Sequence, residues 1–361
     1  MQLTDILKKK EKKQTITQKT QQQESEEIQE KPQQQKIIKT KFSDTENTPN
    51  EVYSIAILGE KDIFQSISSN TKFEFNKIIN ISDKIINCIN NFPDDILVLT
   101  EKSTPDLYLY SHIVNVSILS TFFGLAMNYS EDNLKKLTVC SLLHDLGMIK
   151  YKEIFNKQKK LTSDEFLEIK LHPEYTKKLL ENIKNIPNDY YNFLKEVILQ
   201  IHERVDGNGY PFGIKGKDMH EMAKIISIVD IYEALTHPRA WRNRYLPHEG
   251  IKMLIDFAET SLDIELVKKF ISIISLYPPG SYVELNTGEI GRVIGVNKDL
   301  PTRTKIKVII DAEGNRIIEE KIIDLSKNSL INIVKPVDET KIKSNDKKLI
   351  LEIRARKWWI K

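Results

Sequence analysis

The sequence predicts a mainly α protein with a small antiparallel β unit towards the C-terminus and a small α/β module towards the N-terminus. Three observations lead there. Apolar residues recur at helical spacing almost throughout Thr104–Leu276. Beyond Tyr277-Pro278-Pro279-Gly280 the apolar period drops to two, with turn signals at Asn286-Thr287-Gly288 and Glu313-Gly314-Asn315. Between residues 51 and 103, two β-rich apolar runs flank one helix-like stretch.

A chain of 361 residues holds two or three folded units, at least one with a substantial core. A net charge of +3, from 54 basic and 51 acidic residues, implies no global field for nucleic acid or membrane. Cys88 and Cys140 cannot build a disulfide framework, and neither lies in a C-x-x-C, so both read as small core residues in a reducing compartment. Lys8-Lys9-Lys10 has no apolar block behind it, which argues against a secretory signal, and no apolar run approaches the length of a transmembrane helix. The expectation is a cytoplasmic protein without a transmembrane segment.

Residues 1–50 are dominated by Gln, Lys, Glu and Thr and cannot bury enough apolar surface to offset ordering, so they read as a disordered polar tail. In the module at 51–103, Val52–Gly59 and Asp95–Thr100 read as strands around a helical Ser82–Phe92. Its role stays open. In the helical block, 104–277, Val116, Leu119 and Phe123 form a stripe that includes His112. Ser130 is a candidate N-cap for the helix that runs to His144-Asp145, and Thr162 with Glu165 makes a capping box. Pro173 interrupts or restarts a helix after His172, and Pro238 stops the helix that carries Asp230. Residues 278–336 read as four or five short strands, and residues 337–361 as a basic tail anchored by Trp358-Trp359.

The helical block holds seven potential metal ligands, His112, His144, Asp145, His172, His202, Glu203 and Asp230, from five helices. Neutral imidazole with carboxylate suits first-row divalent ions such as iron, manganese, cobalt or zinc. A lone His on an apolar helix face is in most cases a hydrogen-bonded core residue. Asp230 is harder to explain that way, because a carboxylate among Ile228, Val229 and Ile231 is buried, and buried charge needs a cation. His144-Asp145 likewise follows an apolar helix turn directly. Taken jointly, a metal site is the better account. His220, His237 and His248, at loops or helix ends, read as surface residues. Asp206-Gly207-Asn208-Gly209 is a tight turn that closes on Tyr210-Pro211.

The order His112, His144-Asp145, His172-Pro173, His202-Glu203-x-x-Asp206-Gly207-x-Gly209-Tyr210-Pro211, Asp230 resembles the HD-GYP family of cyclic-di-GMP phosphodiesterases. The likeness covers roughly residues 104–277, and Tyr277–Leu285 extends it into the β unit. It implies an HD-superfamily helical bundle with two divalent metal ions, iron or manganese. One would be held by His112, His144, Asp145 and Asp230, with Asp145 bridging to a second held by His172 and His202. Ions about 3.5–4 Å apart can share a hydroxide that attacks phosphorus in line. The products implied are linear pGpG and then GMP, with His144 and Asp145 as the catalytic pair.

The resemblance further implies that Glu203 orients a histidine. Gly209, Tyr210 and Pro211 would form the motif loop, with Tyr210 lining the mouth of the site or meeting a diguanylate cyclase. His237–Arg244 resembles the family's Arg-x-Tyr-Arg, which puts Arg239 and Arg242 forward as forks for phosphate or guanine and Trp241 as a stacking face. A basic helix-end loop, with Arg242 satisfying carbonyls, explains these residues equally well. Three positions depart from the family pattern. Met148 stands where a lysine is usual, leaving Lys150 as a nearby cation; Ile201 replaces the first of two histidines; and Tyr108 stands where some members have a third-metal acid. The expected partners are cyclic-di-GMP and a signalling protein or second copy, with no nucleic acid. Two other readings stand beside this one: an HD phosphohydrolase for a different nucleotide, and an effector that binds the dinucleotide without turnover.

Overall fold

The computed structural model describes residues 47–103, 107–157, 159–239, 242–297 and 300–355. The polar tail up to residue 46, Trp241, Trp358 and Trp359 lie outside them. The first element, α1 (Pro49–Ser68), starts on a capping box in which the Thr48 side chain accepts from the Glu51 N–H and the Glu51 carboxylate takes the Thr48 N–H. The run at Val52–Gly59, expected as a strand, is therefore helix. Val52, Tyr53, Ala56, Ile63 and Phe64 fall on its buried face. An apolar run this short does not distinguish the two states by period, and the cap decides. After β1 (Phe73–Glu74), α2 (Phe75–Asn91) turns Ile78, Ile81, Ile85, Cys88 and Ile89 inward. The second expected strand, Asp95–Thr100, falls instead largely on α3 (Pro93–Leu99), which opens on Pro93 with Asp94 and Asp95 in its first turn.

α4 (Tyr108–Ala126) is apolar nearly all round. Contrary to expectation it is long and apolar enough to cross a membrane by length and composition, yet 72% of that window is buried inside the protein. The Ser130 side chain caps α5 (Glu131–Leu143), and a 3₁₀ turn at Leu146–Tyr151 leads into the short α6 (Lys152–Phe155). α7 (Ser163–Ile169) has the expected Thr162–Glu165 capping box, and α8 (His172–Leu179) restarts at Pro173. β2 (Ile183–Lys184) pairs in parallel with β1. Then follow α9 (Asn188–Ile198), α10 (Glu221–Thr236), α11 (Pro247–Ala258) and α12 (Ile264–Ile274). One apolar core runs from Val52 to Ile274, so α1–α3 share it with the helices that follow.

Five antiparallel strands make the β unit: β3 (Tyr282–Leu285), β4 (Ile290–Gly295), β5 (Lys305–Ile310), β6 (Arg316–Asp324) and β7 (Ile333–Val337), in the order β6-β5-β4-β3-β7. Gly288 and Gly314 take φ of 82° and 88° at the two turns read from the sequence. α13 (Lys347–Ala355) lays Leu349 and Ile353 against Tyr282, Ile310 and Ile342, so part of the segment expected as a tail is a helix docked on the sheet.

Glu60 in α1 is fully buried, with neither carboxyl oxygen hydrogen-bonded among the described residues. Burial pushes its pKa well above the usual carboxylate range. The folded chain thus keeps a proton that the unfolded chain releases above about pH 4.5, and stability falls as pH rises from there. Glu60→Met keeps the volume and removes the polar atoms. It is expected to raise Tm, by more at pH 8 than at pH 5, because a buried unsatisfied group costs about 1–3 kcal/mol. Thermal unfolding at both pH values checks this.

Candidate metal centre

Six side chains from five stretches of the chain meet in the helical core. His112 lies on α4, His144 is the residue that ends α5, and Asp145 stands between it and the 3₁₀ turn. His172 is the first residue of α8, His202 lies just past α9, and Asp230 is on α10. Asp145 Oδ1 has His172 Nε2 at 3.1 Å, His144 Nε2 at 3.6 Å and His202 Nε2 at 3.8 Å. Its Oδ2 faces His112 Nε2 at 3.6 Å, and the same nitrogen is 3.1 Å from Asp230 Oδ1. His202 Nδ1 is 3.6 Å from Asp230 Oδ2, and His172 Nε2 is 2.9 Å from His202 Nε2.

These groups form two triads, His112-His144-Asp145 and Asp145-His172-His202, each with its ligand atoms within 4.8 Å of one another. Asp145 belongs to both. His144 Nε2 and Asp145 Oδ1 are buried and make no hydrogen bond among the described residues. Converging imidazole nitrogens around an unbonded carboxylate oxygen are the donor set a divalent ion takes, so the residues fit the ions the sequence implies.

Local chain chemistry aims the rings. His144 Nδ1 lies 2.7 Å from the Ser141 carbonyl, and His172 Nδ1 2.8 Å from the Ile169 carbonyl. Both carbonyls belong to the last turn of a helix, where no following amide claims them. A ring that donates Nδ1–H there leaves its Nε2 lone pair facing the centre. His112 is turned by Glu233, whose Oε2 meets its Nδ1. Burial works to raise the pKa of Asp145, but the imidazoles of His144, His172 and His202 outweigh it and hold the carboxyl well below its usual range. Asp230 is pulled down to about 2 against burial, chiefly by His112 and His202. Burial, then the neighbouring His172, lowers His202 to about 4. The carboxylates are charged and His202 is neutral near pH 7.

The glycine-rich turn braces this arrangement. Gly207 has φ of 84°, and the Asn208 N–H donates to Asp206 Oδ1 at 2.9 Å. Gly209 passes so close to the preceding chain that a Cβ would lie 2.3 Å from Arg204 N. The Tyr210 ring, followed by Pro211, stacks on His202 at 5.1 Å and 5°. Glu203, expected to orient a histidine, does not. Fully buried, it accepts from the backbone N–H groups of Phe212, Gly213 and Ile214 at 2.7, 3.1 and 3.0 Å, and so ties down the loop.

Of the expected substrate contacts, Arg239 holds its guanidinium 4.5 Å over the Tyr108 ring, which itself stacks 6.1 Å from His112. Arg242 does otherwise. It donates to the Ala234 and Leu235 carbonyls at 2.6 and 3.3 Å, closing the end of α10, as the helix-end reading held. Lys150 sits over the Tyr151 and Tyr175 rings at 5.2 and 5.5 Å. Ile201 is buried in the core and Met148 half-buried against it. His237 and His248, expected at the surface, are buried. His237 Nδ1 is 3.1 Å from Glu233 Oε1, and His248 stacks on Tyr277 at 5.0 Å. Glu233 is the residue that sequence reasoning missed. Its one signal is a position three residues after Asp230, on the same side of the helix, in a mostly apolar run from Ile225 to Leu235.

The profile of the HD domain family matches residues 93–266, and that of the KOW domain associated with HD domain matches residues 282–345. The chain is 26% identical over 246 residues to "Cyclic di-GMP phosphodiesterase PA4108" of Pseudomonas aeruginosa, spanning 68% of this chain and 58% of that one. It is 27% identical over 239 residues to "Cyclic di-GMP phosphodiesterase PdeB" of Borreliella burgdorferi, spanning 65% and 59%. To "3'3'-cGAMP-specific phosphodiesterase 3" of Vibrio cholerae it is 25% identical over 172 residues, spanning 47% and 36%. The chain thus spans less than two thirds of the length of these curated relatives.

Glu203→Gln leaves one acceptor oxygen where two carboxylate oxygens now serve three amides. The variant is expected to lose about 1–3 kcal/mol of stability in urea unfolding. It is also expected to free the Tyr210 ring, seen as raised Tyr210 mobility by NMR.

Proposed function

Because the chain belongs to the HD-GYP family of the HD superfamily, we propose that it hydrolyses cyclic-di-GMP to pGpG, GMP or both in a metal-dependent reaction. One observation supports this above others: a single buried carboxylate, Asp145, is common to two ligand triads. In this reading His112, His144, Asp145 and Asp230 would hold one ion, and Asp145 with His172 and His202 would hold a second. Iron or manganese there would lower the pKa of bound water and take up charge on the phosphoryl oxygens. The chain's own part is to keep both carboxylates ionised, to aim four imidazoles, and to wall the centre with Tyr108 and Tyr210. Arg239, beside Tyr108, is the cation we assign to a substrate phosphate, since Met148 brings none and Arg242 is engaged at the end of α10. With Ile201 in place of a histidine, the second ion is the more weakly held. The setting we assign is cytoplasmic signalling, with the helices from 104 to 277 as the catalytic part.

A different cyclic dinucleotide is the second reading, favoured by the likeness to a relative named for 3'3'-cGAMP. Purified chain with Mn²⁺, or with Fe²⁺ under reducing conditions, is to be incubated with each dinucleotide and followed by chromatography. The expected outcome is pGpG or GMP from cyclic-di-GMP, with no product above background from His144→Ala or Asp145→Ala. Product from 3'3'-cGAMP alone would transfer the assignment to that substrate. Tight binding of cyclic-di-GMP without product across both metals would make the chain an effector.

A further inference from the structure

We infer that the N-terminal helix α1 is part of the metal centre's machinery: Tyr53 positions the ligand His112 through a buried relay of Asn115 and Glu233. The inference rests on the metal-site reading above. The Tyr53 hydroxyl donates to Asn115 Oδ1 at 3.0 Å. Asn115 Nδ2 donates to Glu233 Oε1 at 3.0 Å and to the Lys102 carbonyl at 3.1 Å. Glu233 Oε2 receives Nδ1 of His112, whose Nε2 faces Asp145 and Asp230. Asn115 and Glu233 are fully buried and Tyr53 nearly so.

The Tyr53 hydroxyl also has the Lys102 carbonyl within reach, at 3.2 Å, and the Asn115 amide decides the sense of the relay. The Asn115 NH₂ faces a carboxylate and a carbonyl, so its Oδ1 must face a donor, and Tyr53 supplies it. Burial, then the Glu233 charge, raises the pKa of the Tyr53 phenol, so the hydroxyl stays protonated. Held by Asn115 on one oxygen, the Glu233 carboxylate presents the other to His112 and fixes which ring nitrogen is free for a metal. His237 Nδ1, 3.1 Å from Glu233 Oε1, steadies the same oxygen. Carboxylates and amides that orient ligating histidines set metal affinity by about 10–100-fold. Tyr53 and Asn115 are positioning residues, since neither touches the reacting atoms. They give the module at 51–103, whose role was open, a function in the site.

The test is Mn²⁺ affinity of the chelator-stripped full chain, by titration calorimetry, with circular dichroism as the check on folding. Tyr53→Phe is expected to weaken Mn²⁺ binding by about tenfold or more. Tyr190→Phe also removes a buried hydroxyl, one with no hydrogen-bond partner among the described residues, and should stay within about twofold of the parent. Wild-type affinity in Tyr53→Phe, or an equal loss in Tyr190→Phe, overturns the relay. Should Tyr53→Phe not fold, the reciprocal measurement on the parent chain decides. Mn²⁺ is expected to slow amide hydrogen exchange in α1, and unchanged exchange there overturns the inference. Cyclic-di-GMP hydrolysis assayed in parallel separates the two readings. Weakened Mn²⁺ binding in a chain that never hydrolyses cyclic-di-GMP keeps the relay and removes the function, and hydrolysis with unchanged affinity does the reverse.

Discussion

A carboxylate held ionised inside a helical core is the constraint on which this protein turns. Asp145 is surrounded by four imidazoles and largely withdrawn from water, where an unpaired charge costs far more than any one helix–helix contact returns. The fold meets that cost by convergence. α4, α5, α8, α10 and the end of α9 each bring one group within reach, and their packing is arranged around the meeting point. A shift in α4, α5, α8 or the end of α9 would draw a side chain out of one of the two triads that share Asp145.

How the groups are aimed follows from where helices stop. His144 and His172 both stand beside a helix terminus, so a carbonyl three residues back is free to hold the outer ring nitrogen. The tight turn after His202 uses the same economy of parts. Glu203 spends its charge on three loop amides, and that places Tyr210 flat against His202. At the end of α10, Arg242 spends its guanidinium on terminal carbonyls, while Arg239 lies over Tyr108.

The flanking segments are joined to this centre by polar contacts as well as by packing. Glu233 links His112 to α1 through Asn115 and Tyr53, and to the end of α10 through His237. Arg292 of β4 reaches Glu101, and Arg244 pairs with Glu339 beyond the sheet, so the β unit is tied to the helices around the same end of α10. A charged group on either flank therefore bears on elements that carry ligands.

By itself the sequence singled out the six side chains that meet in the core, the helical block, the caps at Thr162 and Ser130, and the switch to strands after Tyr277-Pro278-Pro279-Gly280. These are local signals, in which residue type and spacing carry the chemistry. It left the two apolar runs at Val52–Gly59 and Asp95–Thr100 indistinguishable from strands, because a short apolar run has the same composition in either state. The Thr48–Glu51 capping box and the Pro93 start make them helices, and only the tertiary structure shows them packed into the common core. It alone separated Arg239 from Arg242, turned Glu203 from a histidine's partner into the loop's anchor, and buried His237 and His248. Those roles depend on what lies across space from each side chain. Glu233 shows the reason most clearly: three residues after Asp230 it is one acid among many, and it becomes His112's partner only once α4 and α10 are side by side.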